Sequence, residues 1–205
     1  MRQGKFIVLE GIDACGKGTQ IKRVSAYLFD LDKSMHILKT REPTKLSKSG
    51  ENIRKLLARK KDPNKDGALF TRQYVEDRWF HIRELVLPVM KAGGIALSDR
   101  YMLSTFTYQL AQGMDLKLLK QMHKGLPKPN LTCIIDITPE EAMKRLSKTG
   151  QKKEVFETLA FLTKVRENYL KMKEIFPREN IVVINGMQSP DVVFEEIKRE
   201  IQKIL

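Results

Sequence analysis

The stretch Lys5-Phe6-Ile7-Val8-Leu9-Glu10-Gly11-Ile12-Asp13-Ala14-Cys15-Gly16-Lys17-Gly18-Thr19-Gln20 decides how the rest of the chain is read. Phe6 to Leu9 is a short apolar run, partly β-branched, as expected of a strand buried on both faces. In the loop after it, Gly11 and Gly16 are separated by four residues and Lys17 comes next. Glycines can take backbone angles closed to other residues, so consecutive N–H groups turn inward and cradle phosphate oxygens. Lys17 then reaches the outer phosphates, and the following helix points its positive N-terminus at them. Gly11, Ile12, Asp13, Ala14, Cys15, Gly16, Lys17, Gly18 and Thr19 therefore form a candidate nucleotide-phosphate site. The full pattern wants Ser or Thr directly after the lysine; here Gly18 stands there and Thr19 follows.

Outward from this loop, strands and helices alternate. Thr19 to Leu31 carries Ile21, Val24, Leu28 and Leu31 on one helix face. Met35 to Leu38 reads as a second strand, Thr44 to Gly50 as loop, and Ile53, Leu56 and Leu57 mark a short helix. Gly67 to Ala92 reads as one long helical region with Phe70, Tyr74, Trp79, Ile82, Leu85 and Val89 on one side, and Trp79 is expected in the core. Pro88 predicts a kink near its end. Ile95 to Leu97 is a third strand, with helical segments at Ser104–Gln112 and Asp115–Lys124. Leu131 to Ile137 is the fourth, and Thr138-Pro139-Glu140-Glu141 is a capping box opening a helix to about Leu146. Ser147 to Glu154 is polar and basic, as expected of a mobile loop before a helix over Val155 to Ile175. Ile181 to Ile184 is the fifth strand, and Ser189-Pro190-Asp191 caps a last helix. The pattern predicts one α/β domain over residues 1–205, of the P-loop NTPase type, with a parallel sheet of about five strands and helices on both faces.

The bulk numbers suit that reading. The chain has 205 residues, 41% hydrophobic and 31% charged, enough for one domain with a substantial core. No apolar run approaches the ~20 residues of a membrane span, and with a strand beginning almost at once no signal peptide is expected. Two cysteines, Cys15 and Cys133, do not make a disulfide scaffold, so a reducing cytoplasm is expected. The net charge of +13 attracts polyanions, but the lysines are scattered along helices and read mostly as solvated faces.

In such sheets ligands sit at the C-terminal ends of the strands. Those ends carry Glu10 and Asp13, Arg41 and Glu42, and Asp99 and Arg100. Carboxylates such as Asp13 and Asp99 can hold Mg²⁺ directly or through water, and arginines can clamp phosphates. Tyr74 and Arg78, four apart, share a helix face. His36, His81 and His123 form no metal-ligand cluster.

Leu9 to Asp13 running into the P-loop, Thr40-Arg41-Glu42-Pro43, Asp77-Arg78, Asp99-Arg100-Tyr101 followed by Tyr108-Gln109, and Leu126-Pro127-Lys128-Pro129-Asn130-Leu131 occur in the order and spacing of the thymidylate kinases. The chain resembles that family over nearly its whole length. The resemblance implies phosphoryl transfer from ATP–Mg²⁺ to dTMP, giving dTDP and ADP, by an enzyme that is usually a homodimer. It implies that Asp13 contacts the acceptor's 3′-hydroxyl, Arg100 grips the acceptor phosphate, and Arg41 and Pro43 shape the acceptor loop. It also implies that Tyr74 stacks on thymine, Arg78 bonds its edge, Thr105 and Gln109 line the base pocket, and Tyr108 crowds the sugar's 2′ side.

Two departures stand out. Gly18-Thr19 resembles the adenylate kinase form of the loop. The lid at 147–154 offers Lys148, Lys152 and Lys153, with Arg145 just before it, where many bacterial members carry arginines. Lys17, Arg100 and a lid cation drawn from Arg145, Lys152 and Lys153 are then the candidate charges around the moving phosphoryl group. Two rival readings remain at this level: a kinase for another nucleoside monophosphate, and a nucleotide-gated nucleic-acid-binding protein. Against the second, the sequence shows no nucleic-acid module and no interleaved aromatic and basic stripe.

Overall fold

The computed structural model describes residues 3–59, 62, 64–148 and 156–205. Five strands, β1 (Lys5–Glu10), β2 (Ile37–Arg41), β3 (Ile95–Asp99), β4 (Leu131–Asp136) and β5 (Ile181–Asn185), form one parallel sheet in the order β2-β3-β1-β4-β5. β1 is central because its Phe6, Ile7 and Val8 are wholly buried and need cover on both faces. The edge strand β2 starts at Ile37, later than the apolar run suggested, because its register follows β3, pairing Ile37 with Ile95 and Arg41 with Asp99.

The helices are α1 (Lys17–Leu31), α2 (Lys48–Arg59), α3 (Gly67–His81), α4 (Leu87–Lys91), α5 (Met102–Ala111), α6 (Leu116–Met122), α7 (Pro139–Ser147), α8 (Leu159–Ile175) and α9 (Pro190–Gln202). From β1 the chain steps one way to β2 and thereafter the other way across the sheet. With right-handed crossovers, that reversal puts α1 on one face and the helices between β2 and β5 on the other. The packing agrees: α1 contacts α9, while α5 contacts α3 and α8. The reversal also opens a crevice at the strands' C-terminal ends, where the P-loop, Arg41 and Arg100 lie.

The kink expected from Pro88 takes the form of a π-helical turn, Ile82–Val86, joining α3 to α4. The apolar face drawn on α3 is corrected: Phe70 is buried, but Trp79 is only half-buried, and Asp77, Arg78 and His81 are what α3 turns inward. Thr138 caps α7, accepting from the Glu141 N–H at 3.3 Å. Thr158 caps α8 in the same way, so that helix starts at Leu159. Of the lid drawn at 147–154, Ser147 ends α7 and Lys148 caps it; Lys152 and Lys153 lie outside the described residues.

Candidate active site

The P-loop geometry follows from its glycines. Gly11 sits at φ 135°, and a Cβ there would lie 2.5 Å from the Ile135 carbonyl oxygen. Gly16, at φ 103°, opens α1. Both positions lie in backbone space that favours glycine. Ala14 holds a left-handed conformation at φ 60° without that excuse. Lys17 is buried, and its Nζ donates to the Gly11 and Ile12 carbonyls at 3.0 Å each and approaches Cys15 Sγ at 3.5 Å. A Cβ at Gly18 would meet nothing within 4 Å, so packing does not account for the missing hydroxyl.

Arg100, at the end of β3, is left-handed at φ 76°. Its N–H donates to the Leu9 carbonyl at 2.9 Å and its carbonyl accepts from Ser98 Oγ at 2.7 Å, which fixes the strained turn. The turn throws the guanidinium over the P-loop: Nη2 donates to Asp13 Oδ1 at 2.5 Å, and Nη1 to Ser104 Oγ at 2.9 Å and the Gly11 carbonyl at 3.3 Å. Tyr108 Oη donates to Asp13 Oδ2 at 2.8 Å, with the Arg100 guanidinium 5.2 Å from the Tyr108 ring centre. Burial acts to raise the Asp13 pKa, but Arg100 and Lys17 outweigh it and hold the carboxyl below its usual range. Burial drives the Tyr108 phenol well above its usual range, so it stays a donor. Behind this group Glu10 takes the Tyr101 and Ser104 N–H groups on Oε1, and Ser104 Oγ and Tyr169 Oη on Oε2. Burial raises its pKa despite those donors.

One cleft gathers Asp13, Arg41, Pro43, Tyr74, Arg78, Arg100, Tyr108 and Gln109. Arg54, Ser104 and Phe156 also line it, and the sequence did not single them out. Arg54 Nη2 donates to the Pro43 carbonyl at 3.0 Å, yet in sequence it is one basic residue among many on an amphipathic helix. Phe156 packs against Phe161 and Tyr108, with ring centres 5.0 and 5.5 Å apart; its only signal was an aromatic ending a polar run. Thr105 stands one layer back, accepting from Arg78 Nη2 at 2.9 Å. Arg41 is exposed, its Nε 3.9 Å from Asp99 Oδ2.

Arg78 is 1% exposed and heavily engaged. Nε and Nη2 donate to Glu42 Oε2 at 2.8 and 2.6 Å, Nη2 also reaches the Tyr101 carbonyl at 3.0 Å, and Nη1 donates to His123 Nε2 at 2.8 Å. Burial acts to raise the Glu42 pKa, but Arg78 and His81 lower it overall. His81 Nδ1 sits 2.8 Å from Glu42 Oε1 and its Nε2 lies 2.9 Å from Thr40 Oγ1. Asp77 fastens the loop after β2, accepting from the Thr44 N–H, Thr44 Oγ1 and Ser47 Oγ.

Arg145 lies elsewhere. Its Nε donates to Glu141 Oε1 at 2.8 Å, and its two Nη atoms reach the Ala14 and Gly186 carbonyls at 3.3 Å. There it lines a separate pocket with the P-loop residues Ala14, Cys15, Gly16 and Thr19, and with Gly186 and Gln188. Among the described residues no three His, Cys, Asp or Glu side chains cluster as a metal cage. Asp99 Oδ1, however, is buried without a hydrogen-bond partner among them. That orphaned acceptor suits Mg²⁺, which keeps several waters and needs few carboxylates.

A protein-family profile for thymidylate kinase matches residues 9–197. A probable thymidylate kinase of Pyrococcus horikoshii is 34% identical over 200 residues, covering 95% of this chain and 94% of that one. A thymidylate kinase of Thermoanaerobacter pseudethanolicus is 38% identical over 209 residues, covering 99% and 100%. The crystal structure of thymidylate kinase from Ehrlichia chaffeensis shares the fold, with a TM-score of 0.74 at 24% identity over 98% of this chain and 100% of that one. On sequence and fold together, the chain belongs to the thymidylate kinase family.

Proposed function

We propose that the chain works as one domain that transfers the γ-phosphoryl group of ATP to dTMP, giving dTDP and ADP. The observation that carries this reading is one cleft whose lining joins Asp13, Arg100 and Tyr108, bonded to one another at the P-loop, with Tyr74, Arg78 and Gln109. The first group is charged and suits a phosphate and sugar; the second, with an aromatic ring, a guanidinium and an amide, suits a base.

The polar pattern of the second group favours thymine. Gln112 Nε2 donates to the Lys65 carbonyl at 2.9 Å, so its Oε1 faces Gln109, and Gln109 must offer its own Nε2 there. That leaves Gln109 Oε1 as a buried acceptor without a partner among the described residues. Arg78 has five N–H donors. One on Nη1 is left after Glu42, Tyr101, Thr105 and His123 are served. A remaining donor and a remaining acceptor match thymine's 4-carbonyl and N3–H; cytosine presents the reverse pair. A mismatch of that kind costs about 1–3 kcal/mol. Tyr74 stacks on the ring, worth roughly 1–3 kcal/mol and tolerant of base identity.

Transfer asks for two nucleotides in line, with positive charge around the moving group. Arg100 grips the acceptor phosphate, Asp13 holds Arg100 and the sugar's 3′-hydroxyl, and Lys17 serves the ATP phosphates. The acceptor phosphate is already an anion, so no general base is required. Asp99, with Asp13, would hold Mg²⁺, which supplies charge neutralisation on the ATP phosphates when bound. Arg145 borders a pocket beside the P-loop that suits the ATP base, and Lys152 and Lys153 are the proposed lid cations. A homodimer is proposed on the family resemblance alone. A reducing, cytoplasmic setting is proposed on the two free, buried thiols of Cys15 and Cys133; no helix among the described residues is long and apolar enough to cross a membrane.

The test is a coupled ADP-release assay across dTMP, dUMP, dCMP, UMP, CMP, GMP and AMP. The expected order in kcat/KM is dTMP above dUMP, with dCMP well below both. A wild-type preference for dCMP or AMP returns the chain to the broader monophosphate-kinase reading.

A further inference from the structure

His123 follows the last residue of α6, buried, its ring centre 4.8 Å from that of Phe106. Its two nitrogens have different partners. Nδ1 lies 2.7 Å from the Leu119 carbonyl oxygen, which can only accept, so Nδ1 carries the proton. Nε2 is then a lone pair, and Arg78 Nη1 donates to it at 2.8 Å. The tautomer is set from the side away from Arg78, and what it presents to Arg78 is a neutral acceptor.

Glu42, Tyr101 and Thr105 hold the guanidinium only through Nε and Nη2. Two nitrogens along one edge define a line about which a planar group can still tilt. The third nitrogen, Nη1, carries the N–H left over for the base, and His123 is its partner among the described residues. Because the guanidinium is planar and its donors are fixed relative to one another, pinning one Nη1 hydrogen aims the other. We propose that His123 is a positioning residue for base selection: its Nε2 lone pair sets the tilt of Arg78, and so the direction of the donor that reads thymine's 4-carbonyl. This rests on the reading that Arg78 meets the base.

The experiment compares His123→Asn with His123→Gln in the full chain. Both replace the ring with an amide; only the longer glutamine can bring an acceptor oxygen to where Nε2 stood. The expected result is that His123→Asn lowers the dTMP-to-dCMP ratio of kcat/KM roughly tenfold, through the KM for dTMP. The KM for ATP and the kcat at saturating dTMP hold, and His123→Gln recovers most of the ratio. If both variants lose thermal stability alike and keep the ratio, His123 is packing only and the proposal is overturned. Arg78→Ala runs in parallel: if it leaves the ratio untouched, the reading of Arg78 itself fails and takes this proposal with it. If Arg78→Ala collapses the ratio and His123→Asn does not, only the role of His123 falls. Should His123→Asn not fold, imidazole ¹⁵N shifts of the wild-type protein decide: a proton on Nε2 of His123 overturns the proposal, and one on Nδ1 with an unprotonated Nε2 supports it.

Discussion

Tyr108 Oη donates to Asp13 Oδ2 over 2.8 Å, so the residue expected to crowd the sugar's 2′ side also braces the carboxylate expected at its 3′ side. Ring and hydroxyl should therefore separate under mutation. Tyr108→Phe keeps the ring and removes a bond to a charged group, which should cost about 1.5–3 kcal/mol, or roughly ten- to 150-fold in kcat/KM for dTMP. It should leave the dUMP-to-UMP ratio unchanged. Tyr108→Ala opens the space beside Phe156 and should raise UMP relative to dUMP. Steady-state kinetics with the three acceptors check this, and a Phe variant that gains UMP activity contradicts it.

Lys17 is buried, yet its ammonium is held by loop carbonyls and not by the core. Lys17→Ala should leave the unfolding temperature nearly unchanged while lowering kcat by at least about 10²-fold, the usual cost of one donor to transition-state charge. A folded variant with near-normal turnover removes the P-loop reading.

Arg145 and the lid lysines should part company. Arg145 is tied to Glu141, Ala14 and Gly186 beside the P-loop, a place suited to the ATP base. Arg145→Ala should raise the KM for ATP roughly tenfold, equivalent to about 1.4 kcal/mol, with little change in kcat. Neutralising Lys152 and Lys153 together should instead lower kcat, since an ammonium is a point charge that screens the moving group without gripping it. The reverse pattern makes Arg145 the lid cation.

What was legible in the sequence was whatever depends on backbone chemistry. The apolar strand, the two loop glycines and the Thr138 cap each announce a conformation through a residue type, and the fold followed from their alternation. The ends of β1, β2 and β3 likewise offered Asp13, Arg41 and Arg100 by position alone. Burial of polar side chains was not legible. Spacing put Arg78 on one helix face with Tyr74 but said nothing of its burial, and α3 was oriented by its apolar residues, which misplaced Trp79. Only the structure shows that Asp77, Arg78 and His81 turn inward, because Thr44, Ser47, Glu42 and His123 lie far away in sequence and pair with them in space. Arg54 and Phe156 were missed for the same reason: nothing local separates a residue facing a cleft from one facing water.

The last prediction concerns pH and the buried ring of His123. Burial first, and then the facing Arg78 guanidinium, lower its pKa to about 3, against a bond to the Leu119 carbonyl and the more distant Glu42 carboxylate that act to raise it. In the unfolded chain the ring titrates near its ordinary 6.5. A folded value below the unfolded one means that between about 3 and 6.5 the unfolded state binds the extra proton. Stability contributed by the neutral ring is therefore complete above pH 6.5 and is lost as pH falls toward 3. From pH 7 to pH 5 that loss is about 2 kcal/mol, or roughly 4–8 °C in Tm for a chain of this size. Glu10, whose pKa burial raises, works in the opposite sense, because the folded state holds its proton longer. It is present equally in wild type and variant, so the difference between them isolates the histidine. Glutamine does not titrate, so the wild-type advantage over His123→Gln should shrink by about 2 kcal/mol between pH 7 and pH 5. Denaturant unfolding of both proteins across that range measures it. A difference curve that stays flat means the ring is no harder to protonate folded than unfolded, and the neutral acceptor beside Arg78 must be abandoned.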